Sequence, residues 1–357
     1  MKLRWYLWPF AWLYGLAVYI RNCLFDWGWK KSRSFQTAVI SVGNITAGGT
    51  GKTPHVEYIL SVLQQQFPVA MVSRGYKRKS RGLQVATPSS DSRQMGDEPF
   101  QIYQKFPNAV VVADANRCRA IDYIEKCHPV TDAIVLDDAF QHRYVEPGLS
   151  VLLIDYNRLI TKDKLLPVGN LRESILSRYR ASVIIITKCP STLKPIDLRN
   201  LYNEISPRPY QRLFYSTYQY NSLQSIFTNQ TLPLTNDMEV LVVSGIAQPK
   251  PMLSYLSQHV ASVNAISFAD HHHFSQKDWK KIQKRFDEMS GSNKCIVVTE
   301  KDAVKLRAQK IIPESLKDKV WVLPIKVSFL QNAEKDFNKL MIDYVSKNKR
   351  DSEFFNR

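Results

Sequence analysis

Short apolar runs alternate with stretches of helical periodicity along most of the chain, the signature of α/β architecture. The first run, Thr37–Val42, reads as a strand. A glycine-rich turn follows it, and then Val56, Ile59, Leu60 and Leu63 fall at i, i+3, i+4 and i+7, one face of a helix. Pro54 sits in the first turn of that helix, where a missing N–H costs little. Further strands are expected at Val69–Ser73, Val110–Asp114, Ala133–Asp137, Ser150–Asp155 and Val183–Thr187. Such continuous apolar runs, several ending on a polar residue, predict a parallel sheet buried on both faces. Ligands of such sheets bind beyond the carboxyl ends of the strands. After Lys188 the pattern loosens; Arg212–Tyr220 is aromatic-rich and reads as a connecting strand. A second α/β series has strands near Glu239–Ser244 and Cys295–Thr299, and the charged tail from Lys347 to Arg357 reads as frayed.

The first thirty residues follow a different pattern. They hold Trp5, Trp8, Trp12, Trp27 and Trp29, and an uncharged run from Leu7 to Ile20 is flanked by Lys2, Arg4 and Arg21. The run is shorter than the ~20 residues of a spanning helix. It contains Pro9 and Gly15 and has no A-x-A cleavage site, which argues against a secretory signal. Aromatic rings with cationic flanks suit the headgroup layer of a membrane. The competing reading is a helix packed on the protein's own core.

Length and charge narrow the class. A chain of 357 residues suggests two domains. The net charge of +17 favours an acidic partner such as anionic lipid, a phosphorylated substrate or nucleic acid. Neither a nucleic-acid-binding motif nor a long basic tract is present, so nucleic acid is not expected as a partner. Cys23, Cys118, Cys127, Cys189 and Cys295 are odd in number and form no CxxC pair, which fits a reducing compartment rather than a disulfide framework or structural zinc.

Gly48-Gly49-Thr50-Gly51-Lys52-Thr53 lies between the first strand and its helix. Glycines let backbone N–H groups wrap a phosphate at a helix N-terminus; Lys52 would reach the β- and γ-phosphates and Thr53 would ligate Mg²⁺. The full Walker pattern asks for glycine at position 46, where this chain has Thr46. The strand Ala133–Asp137 runs directly into Asp138, and in a phosphate-loop protein one of these two carboxylates meets the Mg²⁺ shell. Asp270-His271-His272-His273 looks like a metal cluster, but consecutive side chains point in different directions and rarely converge on one ion.

Several segments in order resemble the tetraacyldisaccharide 4′-kinase family. They are Ser41–Pro54, Ser73-Arg-Gly-Tyr76, Gly96-Asp-Glu-Pro99, Leu136-Asp-Asp-Ala-Phe-Gln-His142, Leu166–Glu173, Ser244-Gly-Ile-Ala247, Asp270-His-His272 and Thr299–Leu306. Two departures from the family pattern are Ala139 in place of glycine and Asn170 before Leu-Arg-Glu, and neither removes a chemical group. The resemblance implies an α/β fold: a P-loop NTPase-like parallel sheet domain, a second, smaller α/β domain, and an N-terminal membrane-interface helix, with the site in the cleft between domains. The expected divisions are the helix at 1–30, a P-loop kinase core at 31–205, a linker strand region at 206–222, the second domain at 223–325, and a C-terminal helix with charged tail at 326–357.

The implied reaction transfers the γ-phosphoryl of ATP, with Mg²⁺, to the 4′-hydroxyl of a tetraacyldisaccharide 1-phosphate, forming lipid IVA for lipid A biosynthesis. The implied location is the cytoplasmic face of a Gram-negative inner membrane, with the lipid surface and the lipid A precursor as partners and no obligate protein partner. By the same resemblance Asp97 accepts the hydroxyl proton, with Glu98 secondary to it, and His271 orients Asp97. Arg74, Arg117, Arg119 and Arg172 present guanidinium forks suited to phosphate. Glu173 is expected as a hydroxyl acceptor or metal-shell support, and Asn44 and Gln141 as further substrate-site candidates. A P-loop switch that recruits a partner to a membrane is the rival class. A switch has no use for Asp97 and His271, and it would release phosphate to water rather than to a lipid.

Overall fold

A computed structural model of the chain describes residues 5–76, 78–228, 230–246, 249–269, 272–309 and 311–355. Fifteen strands form two sheets among these residues. The first eight are β1 (Ala38–Gly43), β2 (Val69–Ser73), β3 (Gln84–Val85), β4 (Val110–Ala113), β5 (Ala133–Asp137), β6 (Leu149–Asp155), β7 (Val183–Thr187) and β8 (Arg212–Tyr220). Then come β9 (Leu223–Ser225), β10 (Thr231–Leu232), β11 (Glu239–Ser244), β12 (Ser262–Ser267), β13 (Lys294–Val298), β14 (Val320–Val322) and β15 (Ile325–Phe329). The first sheet runs β15-β8-β7-β6-β1-β5-β2-β4-β3 and the second β10-β9-β14-β13-β11-β12.

In the first sheet the ladder from β4 to β8 is parallel, and only the edge strands β3 and β15 pair antiparallel. Every residue of β1, β2, β5, β6 and β7 is buried, which is why these strands read as unbroken apolar runs. The second sheet is parallel over β12-β11-β13-β14 and finishes with antiparallel β9 and β10.

The helices are α1 (Trp8–Asp26), α2 (Lys52–Leu63), α3 (Ser92–Met95), α4 (Asp97–Lys105), α5 (Arg117–Cys127), α6 (Pro195–Ile205), α7 (Lys250–Leu256), α8 (Gln276–Asp287), α9 (Glu300–Gln309) and α10 (Glu334–Phe355). The helix α2 buries far more than the single face its periodicity predicts: His55–Leu60, Val62 and Leu63 are all buried. Its outer side is covered by α10, whose Phe337, Met341 and Val345 are fully buried in the same core. The Tyr58 hydroxyl of α2 lies 2.8 Å from Asn338 Oδ1 and 3.1 Å from Glu334 Oε1.

The connecting strand expected at Arg212–Tyr220 is β8, and it lies inside the first sheet between β7 and β15. The tail expected to fray from Lys347 stays helical through Phe355, because Phe337, Met341 and Val345 at i, i+4 and i+8 anchor the helix to the first sheet's core. The chain leaves the first sheet after β8 and returns through β15, its antiparallel neighbour, with Tyr220 opposite Ile325.

The helix α1 touches the core along one side only. Tyr14 OH donates to the Arg172 carbonyl at 2.9 Å and Arg21 Nη2 to the Gln141 carbonyl at 2.6 Å. The other side presents Phe10, Trp12 and Tyr19 at 60%, 67% and 66% exposure. Among the described residues, no helix is long and apolar enough to cross a membrane.

Candidate functional site

The site is built at the carboxyl end of the first sheet. Chain leaving β1 turns through the glycine loop into α2, with Gly48 at φ +101° and Gly51 at φ +88°, conformations that L side chains rarely adopt. Asn44 lies buried behind the loop and donates to Thr50 Oγ1 at 2.7 Å. Three loop carbonyls are held by side-chain donors: Ala47 by Arg158 Nη2 at 2.7 Å, Thr50 by Thr187 Oγ1 at 2.9 Å, and Gly49 by the Lys188 ammonium. Lys188 is itself paired with Asp155 at 2.6 Å. Thr46, where the Walker pattern has glycine, forms an antiparallel bridge with Leu171 and is buried; the loop is strand-like there and needs no glycine.

Asp138 follows β5, the neighbour of β1, at a left-handed φ of 48°. Lys52 Nζ approaches its Oδ1 at 3.5 Å and Arg172 Nη1 its Oδ2 at 3.4 Å. Burial alone pushes this carboxyl up, but Lys52, Arg172 and Arg117 outweigh it and hold Asp138 below the usual range. Asp137 is pushed the other way, to about 8, by burial and by the charges of Glu98 and Asp138. Its buried Oδ1 has no hydrogen-bond partner. A threonine hydroxyl and two carboxylates supply the hard oxygen donors that Mg²⁺ takes, and the orphaned Asp137 oxygen gives that ion a place, so the residues fit it. Among the described residues no group of three or more His, Cys, Asp or Glu could hold a metal ion.

The glycine loop, Lys52, Asp138 and Arg172 face a cavity of about 960 Å³. Its walls include Gly48–Pro54, Arg74, Glu98, Arg117, Asp138, Gln141, Arg172 and Glu173 from the sequence prediction. They also include Thr299, Glu300 and Lys301 from the second-sheet side, and Tyr14, Val18 and Arg21 from α1. Burial first, and then the charges of Arg117, Arg21 and Arg74, depress His142 to about 4; these three guanidiniums line the cavity and suit phosphate oxygens. Gln141 Nε2 donates to the Asn44 carbonyl at 2.6 Å. Glu173 is buried and pairs with Arg180 at 2.5 Å, with Asn22 of α1 at 3.4 Å from the same oxygen. Its contacts fasten α1 to the site.

Asn44 and Asp137 are buried and not among the cavity walls, and three further expected residues stand elsewhere. Arg119 pairs with Asp114 at 2.7 Å and is not among the cavity walls. Asp97, the first residue of α4, is set back from the cavity, its Oδ2 3.4 Å from Lys305 Nζ of α9. His271 lies outside the described residues. Its neighbour His272 points to Asp278 Oδ2 at 3.0 Å and stacks on Phe268. Sequence reading missed Lys188, Arg158, Tyr218 and Lys305. Lys188 carried a signal, as the residue just past the carboxyl end of a parallel strand, and Lys305 stands inside the Thr299–Leu306 motif. Arg158 carried none.

The strand–loop–helix, the paired aspartates on the adjacent strand and the parallel sheet define a P-loop nucleotide-binding protein. The sequence matches the family model for tetraacyldisaccharide-1-P 4′-kinase over residues 3–345. It is similar to the tetraacyldisaccharide 4′-kinase of Bacteroides thetaiotaomicron, 45% identical over 369 residues covering 100% of this chain and 97% of the relative. The Phocaeicola vulgatus protein of the same name is 45% identical over 360 residues, covering 99% and 98%. The crystal structure of LpxK from Aquifex aeolicus in complex with ATP superposes with a TM-score of 0.73 at 28% identity, covering 96% of this chain and 100% of that one. The chain belongs to the tetraacyldisaccharide 4′-kinase family.

Proposed function

We propose that this kinase transfers the γ-phosphoryl group of ATP to the 4′-hydroxyl of a tetraacyldisaccharide 1-phosphate at the cytoplasmic face of an inner membrane, yielding lipid IVA. The observation that carries the reading is the shared cavity. The phosphate loop and the inner side of an aromatic, largely exposed helix open on one space. A soluble acceptor would have no need of that helix.

In this reading Gly48–Thr53 hold the phosphates of ATP, and Lys52 neutralises charge on the γ-phosphoryl group. Thr53, Asp138 and Asp137 would hold Mg²⁺, which when bound supplies charge neutralisation at the phosphate oxygens. Arg74, Arg117 and Arg172 bind phosphate oxygens of the substrates, and Asn44, Gln141 and Glu173 keep the loop and α1 in place. The 4′-oxygen forms its bond to the γ-phosphorus as the bond to the β–γ bridging oxygen breaks. The hydroxyl proton passes to Asp97, with His271 orienting that carboxylate and Glu98 beside it, and ADP leaves.

The test is to supply purified protein with ATP labelled at the γ-phosphate and an acyl disaccharide 1-phosphate in mixed micelles. Label is expected on the lipid at the 4′-position. Label recovered only as inorganic phosphate would favour the switch reading.

A further inference from the structure

The most heavily buried cation among the described residues takes no part in the scheme above. Lys305, on α9, is 1% exposed, yet its ammonium lies at the seam between α9 and α4. Three acceptors surround it: Asp97 Oδ2 at 3.4 Å across the seam, Asp302 Oδ1 at 3.8 Å on its own helix, and the His272 carbonyl at 3.3 Å. A buried ammonium is tolerated only with partners of opposite charge, so the arrangement is built around this contact.

The groups behind it are fixed in turn. Asp302 is fully buried, and its Oδ2 accepts from the Gly245 N–H at 2.9 Å and from Thr299 Oγ1 at 2.7 Å. Two donors on one oxygen hold the carboxylate rigidly, while its Oδ1 has no hydrogen bond and faces Lys305. Asp302 thus anchors the lysine from the second-sheet side. The carbonyl contact ties it to His272, beside the histidine that the family pattern sets against Asp97. The opposite end of the seam has a second cross-lobe pairing, in which Lys105 of α4 meets Glu300 of α9 and Glu57 of α2.

We propose that Lys305 is a positioning residue for phosphoryl transfer. It reaches from the second-sheet lobe to hold the Oδ2 edge of Asp97 and keep that carboxylate ionised and oriented. Asp97 is therefore competent only while α9 packs on α4. The inference rests on the reading of Asp97 as proton acceptor, and it adds that the acceptor is assembled from both lobes.

The experiment measures kcat and both KM values, with ATP and an acyl disaccharide 1-phosphate, for Lys305→Met, Asp97→Asn and the double variant. Lys305→Met is expected to lower kcat by about tenfold to a hundredfold, part of what a positioned proton acceptor contributes. Both KM values should stay within about threefold, and Lys305→Met placed on Asp97→Asn should cost nothing more, since groups acting as one unit are non-additive. A kcat within about twofold of wild type, or an equal loss in both backgrounds, overturns the proposal and leaves Lys305 a purely structural cation. If Lys305→Met alone fails to fold, Lys305→Met with Asp302→Asn leaves no lone carboxylate on α9, and the same criteria apply to it. Near-normal turnover by Asp97→Asn would instead remove the proton-acceptor reading itself, an outcome distinct from failure of the lysine.

Discussion

Replacing Gly51 by alanine separates two costs at the phosphate loop. The first is conformational. Gly51 has φ +88°, and an L residue held at positive φ costs about 1–2 kcal/mol. The second is steric, because a methyl at 51 would overlap the Tyr218 hydroxyl oxygen while standing 3.3 Å from the ring carbon Cζ. Ordinary carbon contacts need roughly 3.5 Å, so the hydroxyl makes the hard clash and the ring only a tight one. Either the tyrosine on β8 or the loop must shift, and the loop is the softer of the two. Gly51→Ala should therefore weaken ATP binding by more than the conformational part alone, which is about fivefold to thirtyfold at 1.4 kcal/mol per decade. Adding Tyr218→Phe removes the offending oxygen and should recover the steric share, leaving the conformational share in place. Calorimetric titration of ATP into the two single variants and the double variant is the assay, with Tyr218→Phe alone as control. Wild-type affinity in Gly51→Ala, or a double variant no better than Gly51→Ala, would refute the reasoning.

Lys52→Ala and Asp138→Ala should each cut turnover by about 10²–10³, the scale of a lost electrostatic contact to developing charge. Steady-state kinetics checks this, and near-normal rates in folded variants would sink the kinase scheme. Deleting residues 1–25 removes the exposed Phe10, Trp12 and Tyr19 together with the Tyr14 and Arg21 contacts, so both vesicle co-sedimentation and turnover on bilayer substrate should fall. Unchanged partitioning would count against the anchor. His55 is held down to about 4 by burial, with Lys188 adding to the effect and the Gly51 carbonyl opposing it. An unfolded histidine titrates near 6.5, so the stability from keeping His55 neutral is complete above that pH and drains away as pH falls towards about 4. Denaturant unfolding should show about 2 kcal/mol lost to this group between roughly pH 7.5 and 5. His55→Gln should be spared that part of the drop.

The first sheet was legible because β1, β2, β5, β6 and β7 are buried at every position and so are mostly apolar, and the loop–helix junction because glycine and lysine spacing has a direct chemical meaning. The second sheet was harder. β12 reads Ser-Val-Asn-Ala-Ile-Ser and is only partly buried, while β9, β10 and β14 are two or three residues long, too short to show a period. The all-round burial of α2 was invisible because its cover, α10, begins more than 270 positions away and looks in sequence like a charged tail. Lys305 was hidden for a related reason. A lysine inside an amphipathic helix reads as solvated, and only the packing of α9 on α4 turns it inward.

The passage of the chain between the sheets has a consequence for how the protein assembles. β8 and β15 are adjacent antiparallel strands, and at their shared end the Asn221 N–H reaches the Pro324 carbonyl at 3.4 Å. Topologically they are the two arms of a hairpin whose turn has been replaced by a hundred-residue insert. β15 and α10 cannot seal α2 until the ends of that insert come together. Closing so long a loop from a disordered state would cost about 4 kcal/mol in chain entropy. An insert that folds first on its own parallel sheet brings its ends together beforehand and largely removes that cost. The sealing of α2 by β15 and α10 is then a late step, although α2 itself leaves the ribosome early. Replacing 222–323 with a short turn should give a chain that folds faster than the native one and still closes α10 over α2.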